Sequence, residues 1–197
     1  MKDVNVVLSW SEVSTAVDVG KFRQIRSLQK NLKDKHGFNG DNGWTIHVEG
    51  AAGEMAFAKV MNVYWNMACD VFKAPDIGGN VQIRTRSKDN YELIVRPDDS
   101  DTDVFVLVTG KAPNFCVRGW IAGKDAKQAE WSKTYANRPA AFFVPQSELK
   151  DLSELVIKPE GVQDKAQTRP TPGYVMAPNT MKLPTSCLSE EVPKFDL

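Results

Sequence analysis

The chain has 197 residues, of which 42% are hydrophobic and 25% are charged, and its formal net charge is zero. This length and balance are ordinary for a globular domain with one substantial core, followed here by a tail. Because the net charge is zero, the whole chain lacks the general excess of positive charge that would by itself favour nucleic-acid binding. Any such binding must therefore depend on local patches.

The cysteine content and the hydropathy of the sequence indicate where in the cell the protein resides. Cys69, Cys116 and Cys187 lack the spacing of a metal site, and an odd number of cysteines without a signal sequence fits a reducing environment. The N-terminal residues hold no apolar run suited to export, and no later segment reaches transmembrane length. We expect a cytoplasmic protein with no membrane partner.

Residues 12–36 have helical periodicity, with apolar side chains at Phe22, Ile25, Leu28 and Leu32. A second set recurs with the same period and is basic: Arg23, Arg26, Lys30 and Lys33. One interpretation is the solvated face of an amphipathic helix. The other is a stripe that follows a nucleic-acid backbone, since spaced cations can contact successive phosphates.

A loop rich in Gly, Asn and Asp is predicted at residues 36–44, and a second helix at about 54–68. The small residues from Gly50 to Gly53 precede this helix, and its composition, apolar nearly all round, predicts that it is buried. Glu54 would lie in the first turn, where an acid also has the simpler role of complementing the helix dipole.

Residues 81–122 are predicted to form a meander of about four strands, punctuated by Asp, Asn and Gly. A short helix is expected in residues 124–134, a strand in 140–145 and another short helix in 146–156. From Lys158 the sequence is rich in Pro, Thr, Ser and Lys without periodicity, which predicts an extended arm. We therefore divide the chain into a domain, 1–157, and an arm, 158–197.

A candidate catalytic constellation lies around the segment PDIGGNVQIRTR, residues 75–86. Gln82 and Arg84 would share one face of an alternating strand, Asp76 stands before the Gly-Gly turn, and Glu54 begins the preceding helix. Hydrolysis of a phosphodiester needs hard oxygen ligands for Mg²⁺ and a cation that offsets developing charge. The two carboxylates, the Gln82 amide oxygen and the Ile83 carbonyl could supply the ligands, and Arg84 the cation.

The order of a helix Glu, a Pro-Asp turn and a strand carrying x-Ile-x resembles the PD-(D/E)XK nuclease superfamily over residues 50–122, or to about 157 with the last strand and helix. The segments GAAGEMAFAK and FVLVTGKAPNFCVRGWIAGKDAK add to a likeness with small nuclease-like proteins encoded by phages and mobile elements. The resemblance implies an α/β fold of the restriction-endonuclease type, a mixed central sheet flanked by helices.

The resemblance implies catalytic roles for Glu54, Asp76, Gln82 and Arg84, and metal ligation by Glu54, Asp76, Gln82 and Ile83. The sequence departs from the family twice, since Gln82 replaces the usual second acid and Arg84 the usual Lys. Gln removes a negative charge, and Arg cannot lose its proton to act as a base. Lysines that could replace the missing one are Lys59, Lys88 and Lys111.

The favoured function is a Mg²⁺-dependent or Mn²⁺-dependent DNA endonuclease with weakened chemistry, and a homodimer is left open. DNA contacts are expected at Arg23, Arg26, Lys30, Lys33, Arg86 and Lys111. The alternative is a catalytically inactive DNA-binding or protein-binding module on the same fold.

Structural explanations also exist for the same residues. A Gly-Gly turn flanked by Asp and Asn is a common hairpin connection. Arg84 and Arg86 could pair with the acidic run at residues 98–103, which is itself most simply a polar turn. His36 and His47 are too few and too separated for a zinc site or a catalytic triad.

Overall fold

Two helices pack on one face of a mixed sheet, and a second, smaller sheet packs on its opposite face. The structure, a computed structural model, describes residues 2–30, 43–69, 74–135 and 138–160. The predicted loop at 36–42, Lys33, Cys187 and the arm beyond residue 160 lie outside these residues. Within them the expected mixed α/β class is confirmed.

The first helix, α1, spans Trp10–Gln29 and follows a short strand, β1, at Val4–Val7. A capping box begins it: the Ser9 hydroxyl accepts a hydrogen bond from the Glu12 amide, and the Glu12 carboxylate accepts one from the Ser9 amide. The helix was expected to continue to residue 36, but it ends at Gln29, and Lys30 is its C-cap. Strand β1 was not predicted.

The second helix, α2, spans Gly43–Met61, so it begins eleven residues before the predicted start at Glu54. The run of small residues around Gly50 and Gly53 was interpreted as a break. In the structure the helix continues through this run, and Gly53 lets Thr85 approach closely. At Gly20 of α1, a Cβ atom would lie 2.5 Å from the Cα of Val48. Tertiary packing thus overrides the low helix propensity of Gly.

The larger sheet has four strands in the order β1-β5-β4-β2. Strand β2 is Val81–Arg86, β4 is Val104–Lys111 and β5 is Asn114–Ala122. Strands β4 and β5 form a hairpin, but β2 pairs with β4 in parallel. The predicted meander is therefore wrong, because the segment between β2 and β4 leaves this sheet and joins another.

That segment contains β3, Leu93–Val95, which pairs with β7, Ala141–Val144, and β7 pairs in turn with β6, Ser132–Lys133. The strand predicted at 140–145 is confirmed as β7. The two short helices predicted around it are smaller than expected. The first is α3, Gly123–Ala126, with a 3-10 turn at Ala129–Trp131, and the second is two 3-10 turns at Gln146–Glu148 and Leu152–Glu154.

The alternation of β2 and β4 separates two hydrophobic clusters. Val81 and Ile83 of β2 join the cluster that includes α1 and α2, together with Val106 of β4. Phe105 and Leu107 point the other way, into the cluster formed with the smaller sheet. Each side chain of β2 therefore lies either on the side of α1 and α2 or on the side of the smaller sheet. This placement decides which groups the polar side chains of β2 can contact.

None of the helices in the described ranges is both long enough and apolar enough to cross a membrane.

The contact between α2 and β2 generates a stability prediction. A Cβ atom at Gly53 would lie 2.9 Å from Thr85 Cβ and closer still to its hydroxyl, so Gly53→Ala is expected to lower the free energy of unfolding by on the order of 1–3 kcal/mol. Gly50 has no atom within 4 Å of its Cβ position, so Gly50→Ala is expected to raise it by about 0.5–1 kcal/mol. Urea unfolding of both variants measures the difference. Equal effects of the two substitutions would contradict this packing.

Candidate active site

Glu54 is the buried acid of the candidate site, and its carboxylate is fully engaged. The Arg23 guanidinium of α1 donates to both oxygens, at 2.5 Å to Oε1 and 2.8 Å to Oε2. The Trp65 indole N–H donates to Oε2 at 2.9 Å. Arg23 is fixed further by a hydrogen bond from its Nε to the Ala68 carbonyl at 3.0 Å. An arginine from one helix thus neutralises the acid of the next.

Asp76 lies in the turn that leads into β2. Its amide donates to the Val81 carbonyl at 2.8 Å, and its carboxylate accepts from the Ile83 amide at 2.7 Å. Gly78 has φ +58, which the turn needs and which suits glycine. The side chain is therefore held by the backbone of the strand that follows it.

The Asp76 carboxyl has an unusual protonation equilibrium. Burial and, second, the negative charge of Glu54 raise its pKa to about 7, although the Ile83 hydrogen bond and the charges of Arg84 and Arg23 act in the opposite direction. Glu54 and Asp76 thus interact electrostatically. Perturbed carboxyl groups of this kind are common at functional sites, and they also occur in purely structural networks.

A cleft of about 180 Å³ opens beside Asp76, lined also by Arg23, His47 and Cys69. His47 was not among the predicted site residues, because His36 and His47 are too few and too separated in sequence for a zinc site or a catalytic triad. His47 and Glu54 are seven residues apart in α2, which is two helical turns. That spacing would have indicated His47 if the start of the helix had been recognised.

Gln82 and Arg84 point away from this cleft. The Gln82 amide donates to Asp103 at 3.0 Å, and Arg84 donates to both oxygens of Asp99 at 3.1 and 3.0 Å. The Arg84 guanidinium also lies 5.0 Å from the centre of the Phe105 ring. The strand does place Gln82 and Arg84 on one face, as expected from alternation, but this is the face opposite α2 and Glu54.

Ile83, between them, faces α2 with a buried side chain and gives its amide to Asp76. The predicted constellation is therefore divided. Glu54, Asp76 and Ile83 lie on one side of the sheet, while Gln82 and Arg84 lie on the other. The physical reason is the two-residue period of a strand, which cannot direct residues 82 and 83 to the same face.

The donor set of the cleft does not fit Mg²⁺. Three bonds from Arg23 and Trp65 occupy the Glu54 oxygens, and Gln82 is on the far face. Among the described residues, no group of three or more His, Cys, Asp or Glu side chains is arranged to hold a metal ion.

The basic residues predicted to contact DNA are dispersed. Arg23 is directed inward to Glu54, whereas Arg26 and Lys30 are exposed on α1. Arg86 is partly buried, with its guanidinium 4.6 Å from the centre of the Tyr91 ring. Lys59, one candidate for the missing lysine, pairs with Glu12 at 2.7 Å. These side chains do not form the single cationic row that their spacing suggests.

A second, larger cleft of about 480 Å³ lies where β2 and β4 end, and Lys88 and Lys111 are exposed on its wall. Arg118 of β5 also lines it. The Arg118 guanidinium donates to the Thr109 hydroxyl at 2.8 Å and pairs with Asp89 at 3.1 Å. Lys88 and Lys111 are far apart in the sequence, and the parallel pairing of β2 and β4 brings them to a common edge.

Comparison of the chain with protein-family models, with curated proteins and with solved structures gives no match.

The raised pKa of Asp76 predicts an unusual pH dependence. Its folded-state value of about 7 exceeds the ordinary 3.8, so the folded state retains a proton that the unfolded state releases between these values. The stabilisation is full below pH 3.8 and is lost as the pH rises through 7. Relative to wild type, Asp76→Asn is expected to gain stability from pH 5 to pH 8, on the order of a few kcal/mol at about 1.4 kcal/mol per pKa unit.

Urea unfolding of wild type and Asp76→Asn at both pH values measures this gain. Asp98→Asn removes an exposed carboxylate and controls for the change in net charge. A stability difference between wild type and Asp76→Asn that is constant from pH 5 to pH 8 would contradict the raised pKa.

Proposed function

We propose that this chain is a catalytically inactive DNA-binding module built on a nuclease-like α/β fold. The observation that carries the proposal is the Arg23–Glu54–Trp65 contact, in which the acid expected to hold a metal is already bound by the protein. The resemblance to the PD-(D/E)XK superfamily, with its restriction-endonuclease-like sheet, remains part of the proposal. The support for this resemblance is the order along the chain of Glu54 in α2, the turn that carries Asp76, and strand β2.

The neutralisation of Glu54 by a protein side chain, in place of a metal ion, favours DNA binding over DNA cleavage. In a nuclease of this kind, a divalent cation would neutralise the acids and polarise the scissile phosphate. Here the Arg23 guanidinium neutralises Glu54, and its side chain is only 18% exposed. A guanidinium held in this way cannot activate water, because it keeps its proton throughout the working pH range. The second cation, Arg84, is engaged by Asp99 on the other face.

The cleft at the end of β2 and β4 is the proposed DNA contact. Because these strands are parallel and Arg86 is opposite Thr109, the residues that follow each strand emerge at one edge. Lys88 lies two residues after Arg86, and Lys111 lies two residues after Thr109, at the end of β4. Arg118 is paired with Asp3 and Asp89, so the two lysines retain the local excess of positive charge. Such an excess is what attracts a phosphate backbone in a chain of zero net charge.

The proposal retains the expected location, the cytoplasm, or the host cytoplasm if a phage encodes the protein. The proposal calls for neither a membrane partner nor a resident metal.

Lys88→Ala/Lys111→Ala is expected to weaken binding to duplex or single-stranded DNA and to reduce the salt slope by about 2, at roughly 0.9 per phosphate contact. Fluorescence anisotropy over a range of salt concentrations measures both quantities. The control is Lys124→Ala/Lys158→Ala, which removes two charges from exposed sites outside this cleft. If wild type binds no DNA at low salt, the function is wrong; if both double variants lose affinity equally, the location is wrong.

The second candidate, a weakened metal-dependent endonuclease, is favoured by the interaction between Glu54 and Asp76. It requires Arg23 to leave Glu54 so that both acids can face a metal. A cleavage assay in Mg²⁺ and in Mn²⁺ on linear, circular and branched DNA separates the two candidates.

We expect no cleavage by wild type and none by Gln82→Glu, because residue 82 lies beside Asp103 on the opposite face. Metal-dependent cleavage by purified wild type that Asp76→Ala abolishes would establish the endonuclease and overturn the inactive module. An Asp103→Asn variant, which removes the acid beside residue 82, controls for changes on that face.

A further inference from the structure

Helix α1 carries large apolar side chains on its outward side. Trp10 is 76% exposed, Val17 is 41% exposed and Leu28 is 57% exposed. The same helix already buries Ala16, Val19 and Gly20. An amphipathic helix that packs on one side normally presents polar residues on the other. Exposed apolar residues that recur along a helix instead indicate a surface with a partner.

Five exposed residues and one half-buried residue of α1 follow a seam. Steps of four and three residues alternate along Trp10, Ser14, Val17, Lys21, Gln24 and Leu28, which is the spacing at which one helix packs along another. Gln24 is the half-buried member, and its amide also lies beside Gly43 of α2. Three of the six are exposed apolar residues, and the fourth exposed apolar residue of the helix, Phe22, lies off the seam under the Lys21 ammonium. Lys21 has a long aliphatic stem that can cover an apolar neighbour while its ammonium stays in water.

We propose that α1 packs against α1 of a second copy of this chain, antiparallel and related by a two-fold axis near the middle of the helix. This arrangement sets Trp10 against Leu28 of the partner subunit, and Leu28 against the partner's Trp10. Ser14 meets the partner's Gln24 in the polar layers. At the centre, the stem of Lys21 lies against Val17 of the partner subunit. Every contact is made twice, as an isologous interface requires.

Charge complementarity favours a second copy of this chain as the partner and an antiparallel orientation of the two α1 helices. Asp18 and Lys21 are both exposed and form an ion pair at 2.6 Å within one helix. In the antiparallel arrangement, Lys21 comes next to the partner's Asp18, so opposite charges meet on both sides of the axis. A parallel pair would oppose like charges at both positions. The charges on this surface are therefore complementary to those of a second copy in the antiparallel orientation.

A charge-swap experiment tests the proposal. Sedimentation velocity across a range of protein concentrations is expected to show a reversible dimer for wild type. Asp18→Lys and Lys21→Asp each place like charges across the axis and should each raise the dimer Kd by about tenfold or more, equivalent to about 1.4 kcal/mol. The combined variant Asp18→Lys/Lys21→Asp restores complementarity and should recover the wild-type Kd.

An equimolar mixture of the two single variants gives the most specific test of the proposed interface. In that mixture, one chain has two positive charges at the seam and the other two negative charges, so a heterodimer should form in preference to either homodimer. Native mass spectrometry distinguishes the species by mass. Asp125→Lys, which alters an exposed pair with Lys150 at 3.7 Å, is the control and should leave the Kd unchanged.

Two results would overturn the proposal. A wild-type chain that stays monomeric at all concentrations would mean that another segment of the same chain, or a different partner, covers the seam. Dimers of unchanged Kd in both single variants would place the interface elsewhere. Circular dichroism of each variant confirms that loss of association does not reflect loss of folding, and recovery by the combined variant makes the same check independently.

Discussion

The ion pair between Arg23 and Glu54 is the contact on which the rest of the site depends. It joins α1 to α2 beneath the turn that carries Asp76, and the Trp65 indole completes it. With side chains only 18% and 6% exposed, its two charges have lost most of their water. The pair therefore adds little net stability, yet removal of either partner would leave a buried charge at a cost of about 3–5 kcal/mol.

The same pair governs the chemistry around it. Arg23 forms an ion pair with Glu54, and the charge of Glu54 contributes, after burial, to the raised pKa of the Asp76 carboxyl. A site that stabilised two ionised acids would need a further cation. In this protein Arg84 exerts only a distant effect, because Asp99 holds it on the other side of the sheet. Asp76 thus lines the cleft, while Glu54, with which it interacts, is held by Arg23 and Trp65.

Helix α1 links three features of the molecule. Its inward side supplies Arg23 to the ion pair, and small residues such as Gly20 let it lie close to α2. Its outward side carries the seam centred on Asp18 and Lys21. The basic residues that follow helical spacing in the sequence are thus divided between interior and surface. A periodic charge pattern identifies an amphipathic helix, but not which of its faces meets a partner.

Most of the local elements could be predicted from short-range signals along the chain. Alternation identified β2, runs of strand-forming residues between turn residues identified β3, β4, β5 and β7, and periodicity identified the body of α1. Even the grouping of Glu54 with Asp76 followed from order along the chain. The start of α2 was not predictable in this way, because Gly50 and Gly53 favour a break locally. The helix continues through them because its residues Ala51, Ala52 and Gly53 are buried, and only Gly53 is in a close contact, with Thr85, that requires its small size.

Which residues meet depends on tertiary packing. The parallel pairing of β2 with β4 brings Lys88 and Lys111 to one edge, although they are far apart in sequence. The commitment of each β2 face to a different cluster sends Gln82 away from Glu54. Both outcomes depend on how sheets and helices share two cores, and that is a property of long-range packing that no local pattern of residues encodes.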